Sequence, residues 1–267
     1  MPLYHCTAKM IGRGSGRSAA AASAYRAGEK LSDKRQGLEW DFTKRGGVSR
    51  AEIIAPEGAP AWAHDRQALW NAVEAREDQS KRHATAQTAR EFEVSLPHEL
   101  SREDREAAGL AFARYLVTTY GVAADVSFHD PHPGRNGQGQ DERNFHVHIL
   151  TTTRRVTAEG LGEKVRELDS KATATTHLRA VRAKWAEIAN GYLERAGIEA
   201  RLDHRSFKER GIEQEPTLHL GPAAHAMMKR GEASDRARIN HSIEERNAAA
   251  ARLRVEGQEA GAAIIGF

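Results

Sequence analysis

Alternation of apolar and polar side chains is clearest in three segments. From Thr88 to Leu96, Phe92, Val94 and Leu96 share one face of a strand while Glu91, Glu93 and Ser95 share the other. From Ala124 to His129, Val126 and Phe128 face a core, and Asp125, Ser127 and His129 fall opposite. From Asn144 to Leu150, Phe145, Val147 and Ile149 take one side, His146 and His148 the other. Helical spacing marks two longer segments. Leu110, Ala113, Leu116, Val117 and Tyr120 form a stripe that starts at a capping-box-like Ser101/Asp104 pair and stops at Gly121. Leu178, Val181, Trp185, Ile188, Tyr192 and Leu193 form another, in a helix from Ala172 to Ala196 closed by Gly197.

The remaining punctuation fills in the order. Leu3 to Met10 reads as a first strand and Ile11 to Arg17 as a loop. Ser18 then caps an Ala-rich helix from Ala19 to Leu31. Trp40–Phe42 and Ser49–Ile54 read as an extended pair split by Gly46-Gly47. Pro56 and Pro60 precede a helix from Trp62 to Asp78 with Trp62, Leu69, Trp70 and Val73 inward. The Gly-, Asn- and Pro-rich loop Pro131–Arg143 joins the strands ending at His129 and starting before His146 into a hairpin. Ile198–Leu202 reads as a short last strand, and the Ala- and charge-rich stretch 232–267 as an exposed helix or tail. Hairpin-linked strands mixed with helices predict an α+β fold, a central antiparallel β-sheet covered by helices, in a domain spanning 1–231.

At 267 residues the chain supports one sizeable core. With 39% hydrophobic and 29% charged residues it is a polar globular sequence. No apolar run reaches the length of a membrane span, so no membrane insertion is expected. The start, MPLYHCTAKM, lacks the pattern of a secretory signal, and the single Cys6 excludes an internal disulfide or a cysteine-based zinc cluster. Both point to the cytoplasm. The net charge of +3 conceals basic clusters at Arg13 and Arg17, at Arg154-Arg155, and at Arg201, Arg205, Lys208 and Arg210. Each is a phosphate-binding candidate. Taken alone, each is better read as solvated surface.

The histidines sharpen this picture. His146 and His148 on one face of an apolar strand make half a metal site, and the hairpin brings His129 alongside with matching parity. Three imidazoles leave coordination positions open, as a catalytic metal requires. Glu91 and Glu93 qualify as a fourth ligand or as an outer acceptor for an imidazole N–H. His5, His98, His177, His219 and His225 lack such company and read as structural or solvent-facing; His132, beside the site, stays open. On composition alone Tyr25 is a core tyrosine, as Tyr192 is.

The runs GRSAAAASAYR (16–26), AREFEVSLP (89–97), FHD (128–130), NFHVHIL (144–150) and DHRSFKERGIEQEPTLHLG (203–221) change that reading of Tyr25. In this order and spacing the chain resembles the MobA/MobL relaxases of the His-hydrophobic-His endonuclease superfamily, including the N-terminal relaxase domain of TraA-type proteins. Two departures are visible: the loop before His146 is longer than in the shortest relatives, and Phe145 stands where Pro is frequent. The resemblance implies a relaxase-type sheet of about five strands. It implies Tyr25 as nucleophile, His129, His146 and His148 as ligands of one divalent ion, and Glu91 as the strand carboxylate near both. Mg²⁺ or Mn²⁺ is expected, with Zn²⁺ or Ni²⁺ also suited to three imidazoles.

The implied reaction is transesterification at a plasmid transfer origin. Tyr25 takes the 5′-phosphate of one strand, a 3′-OH is freed, and the covalent link allows rejoining. A phenol with a reference pKa of about 10 needs a polarised target and a proton acceptor, for which Glu91 is the candidate. Implied partners are single-stranded DNA, relaxosome accessory proteins and a coupling protein. Arg13, Arg17, Arg26, Arg154, Arg155, Arg205 and Lys208 are candidates for backbone contacts. Arg205-Ser206-Phe207 and Glu215-Pro216-Thr217 are read as closing over the site or the DNA, or as a packing loop. Three competing readings stay open: a rolling-circle replication initiator with the same chemistry, a three-His hydrolase using water, and a metal-stabilised DNA-binding module without catalysis.

Overall fold

The elements run β1 (Cys6–Gly12), α1 (Ala19–Ala27), β2 (Lys30–Asp33), β3 (Leu38–Asp41), β4 (Val48–Ile54), α2 (Arg66–Asp78), β5 (Gln87–Ser95) and α3 (Arg102–Tyr120). They continue with β6 (Ala124–His129), β7 (His146–Thr152), β8 (Arg154–Thr157), β9 (Gly160–Lys164), α4 (Ala174–Arg195) and α5 (Asp235–Ile265). The computed structural model describes residues 4–131, 142–218, 220, 221, 224, 227 and 230–265. His132, His219 and His225, and positions 132–141 of the predicted hairpin loop, lie outside the described residues. The chain divides into two compact units, one up to His204 and one from Arg205 onward.

In the first unit five strands form one antiparallel sheet in the order β1-β5-β7-β6-β4. This is the α+β class that the element order predicts. Strand parity explains its two faces. Phe92, Val94, Val126, Phe128, Val147 and Ile149 point into a core shared with Leu116 and Val117 of α3 and with Val181 and Trp185 of α4. The opposite face sets Ile11, Ala89 and Leu150 against Ala19 and Ala20 of α1 and against Leu69, Trp70 and Val73 of α2. The sheet is therefore covered on both sides, and its polar row of Glu91, Asp125, Ser127 and His129 is buried on the α1 side.

Several helix ends follow from local chemistry. The Ser18 hydroxyl accepts from the Ala21 N–H at 3.3 Å and starts α1. Gly28, at φ +66°, ends it four residues before the predicted Leu31. The chain then turns into the β2–β3 hairpin, in which Leu31 faces Trp40. Residues 40–42 therefore do not pair with 49–54; β4 pairs with β6 instead. A short 3-10 turn at Ala61–His64 occupies the predicted start of α2, and the Asp65 carboxylate caps the helix itself. Ser101 caps α3 as predicted, accepting from the Asp104 N–H at 3.1 Å.

Two further differences have plain causes. Ile198–Leu202 forms no strand, because the side chain of Asn190 satisfies both the N–H (2.7 Å) and the carbonyl (2.9 Å) of Leu202. The β8–β9 hairpin lacked alternation in its sequence. It is fixed instead by ion pairs from Arg154 and Lys164 to the buried Glu77.

In the second unit, α5 anchors the segment before it. Arg246 and Asn247 bind Glu215, and Asn240 binds both backbone groups of Leu218. The sequence sets a boundary at 231/232, and α5 begins at Asp235. Among the described residues no helix is long and apolar enough to cross a membrane.

One close approach holds α3 on the sheet. A Cβ added at Gly109 would lie 2.5 Å from Cε1 and 2.9 Å from Cζ of Phe128, the neighbour of His129. Gly109→Ala gains up to about 1 kcal/mol of helix propensity. It loses about 1–3 kcal/mol to overpacking, because an aromatic ring in a filled core has nowhere to go. The expected net result is a lower Tm, measured by thermal unfolding. A Tm at or above that of the parent would show that Phe128 can repack.

Candidate metal and nucleophile site

The register of β6 and β7 places His129 opposite His146 and Ser127 opposite His148. All three imidazoles meet on the α1 side of the sheet. Ring centroids lie 5.1 Å apart for His129–His146, 4.7 Å for His129–His148 and 5.1 Å for His146–His148. One ligand nitrogen from each ring falls within 4.8 Å of the others. Burial pushes the His129 imidazole down to about 3 and lowers that of His146, so both are held neutral, the form that binds a metal.

Each ring also has an outer partner. His129 Nε2 lies 2.8 Å from the Arg26 carbonyl oxygen, His146 Nδ1 lies 2.9 Å from the Asn144 carbonyl oxygen, and His148 Nδ1 lies 2.6 Å from Glu91 Oε1. Carbonyls and carboxylates accept, so these nitrogens carry the protons. With those nitrogens so engaged, His129 Nδ1 and the Nε2 atoms of His146 and His148 are the ring atoms left to serve as ligands. That arrangement fits a divalent cation, since outer acceptors fix both tautomer and ring orientation.

Glu91 is nearly inaccessible, at 4% exposure, yet stays ionised. Burial alone would raise its pKa. The bonds from His148 and from Arg26, whose Nε and Nη2 each donate at 2.7 Å, overcome this and hold the carboxyl far below the usual carboxylate range. Glu93 is engaged by Lys9 at 2.8 Å and lies within reach of Glu91 and His148.

Tyr25 sits on α1, directly before Arg26, and is 48% exposed. Its ring meets the edge of Phe42 at a centroid distance of 5.2 Å, and the Arg45 guanidinium carbon lies 3.8 Å from the ring centroid. Arg45 Nη1 also donates to the Tyr25 carbonyl oxygen. The helix is tied to the sheet again by Asp125. That carboxylate accepts from Ser23 Oγ (2.5 Å), Trp70 Nε1 (2.9 Å) and Arg66 Nε (3.1 Å).

The structure thus brings Glu91, His129, His146 and His148 together and puts the residue after Tyr25 in contact with two of them. It scatters the predicted DNA contacts. Arg13 is buried, bound to Glu74 and Asp78. Arg26 faces Glu91, Arg154 binds Glu77, and Arg155 binds Glu167 and the Tyr120 carbonyl. Arg17 is exposed on its loop, and Arg205 and Lys208 are exposed in the second unit. Sequence reasoning missed Phe42, Arg45 and Arg66. Asp125 was visible as a polar residue with the parity of His129, but nothing marked it as the anchor of α1.

Comparison with known proteins identifies the family and the fold. Residues 17–230 match the MobA/MobL family. The chain is 43% identical over 262 residues to the mobilization protein MobL of Acidithiobacillus ferridurans, covering 88% of this chain and 66% of that protein. It is 33% identical over 259 residues to the conjugal transfer protein TraA of Agrobacterium fabrum, covering 87% of this chain but only 22% of TraA. The chain therefore spans about two thirds of the one relative and under a quarter of the other. A structure solved to explain vancomycin resistance transfer in Staphylococcus aureus shares the fold. Its TM-score is 0.64 at 24% identity, covering 76% of this chain and 99% of that one. The chain belongs to the MobA/MobL family.

Proposed function

We propose that this chain is a relaxase that nicks and rejoins one DNA strand at a plasmid transfer origin, with Tyr25 as nucleophile. The observation that carries the proposal is the link at residue 26. Arg26 bonds His129 through its carbonyl and Glu91, hence His148, through its side chain, so the backbone that carries Tyr25 is tied to the three-imidazole cluster one residue away. Kinship with proteins named for mobilization and conjugal transfer supports DNA transfer as the setting. The proposed catalytic domain is 1–231, with 232–267 as an appended charged helix, acting in the cytoplasm on single-stranded DNA with accessory relaxosome proteins and a coupling protein.

His129, His146 and His148 would hold one divalent cation, for which we propose Mg²⁺ or Mn²⁺. When bound, it neutralises the phosphodiester and polarises phosphorus. Tyr25 Oη forms the new bond to phosphorus. The 3′ oxygen leaves with the electrons of the broken bond and takes a proton to become 3′-OH, while the 5′-phosphate stays on the tyrosine. The half-exposed phenol can give its proton to solvent. Glu91 is a poor acceptor for it, since both its oxygens are engaged and its pKa is depressed. We assign Glu91 the task of fixing the His148 ring through Nδ1, which would leave Nε2 as its ligand atom, with Arg26 locking Glu91 in place. A rolling-circle initiator would share this chemistry. The relatives' names favour transfer.

Three outcomes are expected. With a labelled single strand spanning the transfer origin and Mn²⁺, the protein gives a covalent band on a denaturing gel, and Tyr25→Phe abolishes it. Continued cleavage by Tyr25→Phe without an adduct would instead identify a water-using hydrolase. Glu91→Gln weakens Mn²⁺ binding by roughly 10–100-fold, as loss of an outer-shell acceptor does, while His148→Ala removes the Mn²⁺-induced rise in Tm. An unchanged affinity in Glu91→Gln would remove its orienting role.

Acid sensitivity follows from the same groups. Burial holds the His129 imidazole near 3 in the fold, against an ordinary 6.5, so the unfolded chain binds the extra proton between those values. Its contribution is complete above pH 6.5 and is lost as pH falls toward 3. Glu91 acts in the same direction, being ionised in the fold below its ordinary value. Metal-free protein should lose Tm steadily from about pH 6.5 downward, and His129→Gln should flatten that slope. A Tm independent of pH in that window would contradict the burial argument.

A further inference from the structure

Arg45 is a half-buried cation with no carboxylate partner among the described residues. Three carboxylates of the site are already engaged: Glu91 by Arg26, Asp125 by Arg66 and Glu93 by Lys9. Among the described residues no carboxylate lies within ion-pair distance of Arg45. Its guanidinium is fixed all the same, stacked 3.8 Å from the Tyr25 ring centroid and bonded to the Tyr25 carbonyl.

The segment that carries it is pinned at both ends. The Arg45 N–H donates to the Phe42 carbonyl at 2.9 Å, and the Gly47 carbonyl accepts from the Asp130 N–H at 2.9 Å, beside His129. Desolvation pulls the Arg45 guanidinium below its usual value, and its charge reaches far enough to disfavour protonation of His129 and His146. A desolvated guanidinium beside three imidazoles, with Glu91, Glu93 and Asp125 paired to other cations, is completed by an anionic ligand. The planar fork of arginine suits phosphate oxygens in particular.

We infer that Arg45 holds a non-bridging oxygen of the phosphodiester that Tyr25 attacks, and that its stacking orients the Tyr25 ring toward that phosphorus. The inference rests on the relaxase reading. It adds a substrate-binding residue on the β3–β4 connection that neither the histidine strand nor the tyrosine helix supplies.

The test uses the full chain with Arg45→Met, which keeps bulk on the Tyr25 ring but loses the charge, and Arg45→Lys, which keeps the charge but loses the fork. Both should show the parent's Mn²⁺-induced rise in Tm, which establishes an intact fold and cluster. At saturating origin strand, Arg45→Met should form the covalent adduct about 10²–10³-fold more slowly, the usual effect of losing one donor to a developing anionic centre. Arg45→Lys should recover part of the rate.

Binding is read separately in the Tyr25→Phe background, with strands carrying one neutral methylphosphonate at each position in turn. At one position the substitution should weaken binding when Arg45 is present and have no further effect in Arg45→Met. An adduct rate in Arg45→Met equal to the parent's would overturn the inference. So would a loss of affinity that is the same at every methylphosphonate position. Failure of the parent to form any adduct would sink the relaxase reading, whereas the methylphosphonate scan decides the Arg45 contact without cleavage.

Discussion

A sheet that buries carboxylates and imidazoles on one face is stable only if each buried charge meets a partner, because an unpaired one costs several kcal/mol. Here the partners come from the helix layer. Glu91 is met by Arg26 and Asp125 by Arg66, Ser23 and Trp70. The Ala-rich composition of α1 belongs to the same constraint. Ala19, Ala20 and Ala24 are at most 1% exposed, and their short side chains let the helix lie close enough for Arg26 to reach Glu91. Larger residues there would lift the helix and strand Glu91 and Asp125 at once.

That packing makes the placement of Tyr25 and the placement of the imidazoles one structural variable. The backbone of residue 26 meets His129, its side chain meets Glu91, and Glu91 turns His148. A shift of α1 along the sheet would change the orientation of two rings as it moved the phenol. If the chain acts as the proposed relaxase, nucleophile and phosphate must keep a fixed relation for both the cut and the reverse step, and a short chain of buried, charge-assisted bonds is a stiff way to keep it.

How much of this was legible in the sequence depends on how local the cause is. β6 and the β6–β7 pairing were readable because alternation is a property of consecutive residues. The same parity brought His129 beside His146 and His148. The end of α1 was misjudged because Gly28 outweighs the helix-compatible residues after it, and the partner of β4 was misjudged because nothing local names β6. Tyr25 needed the family resemblance: an exposed tyrosine in an alanine helix has no period or spacing of its own. Arg45 was invisible for a stronger reason. Its contacts depend on where the β3–β4 connection crosses α1, which only the assembled fold decides.

The basic residues show the same limit from the other side. Arg13, Arg26 and Arg154 look like phosphate contacts in the sequence, but each guanidinium donates to a carboxylate that is at most 4% exposed. A fork already closed on a carboxylate has little left to offer a phosphate. These arginines organise the protein. Of the arginines that the sequence offers to the strand in the first unit, Arg17 alone lies exposed, and on the proposed relaxase reading Arg45 joins it beside Tyr25. On that reading, holding DNA and holding the fold are divided between two sets of arginines, and burial, not sequence clustering, sorts one from the other.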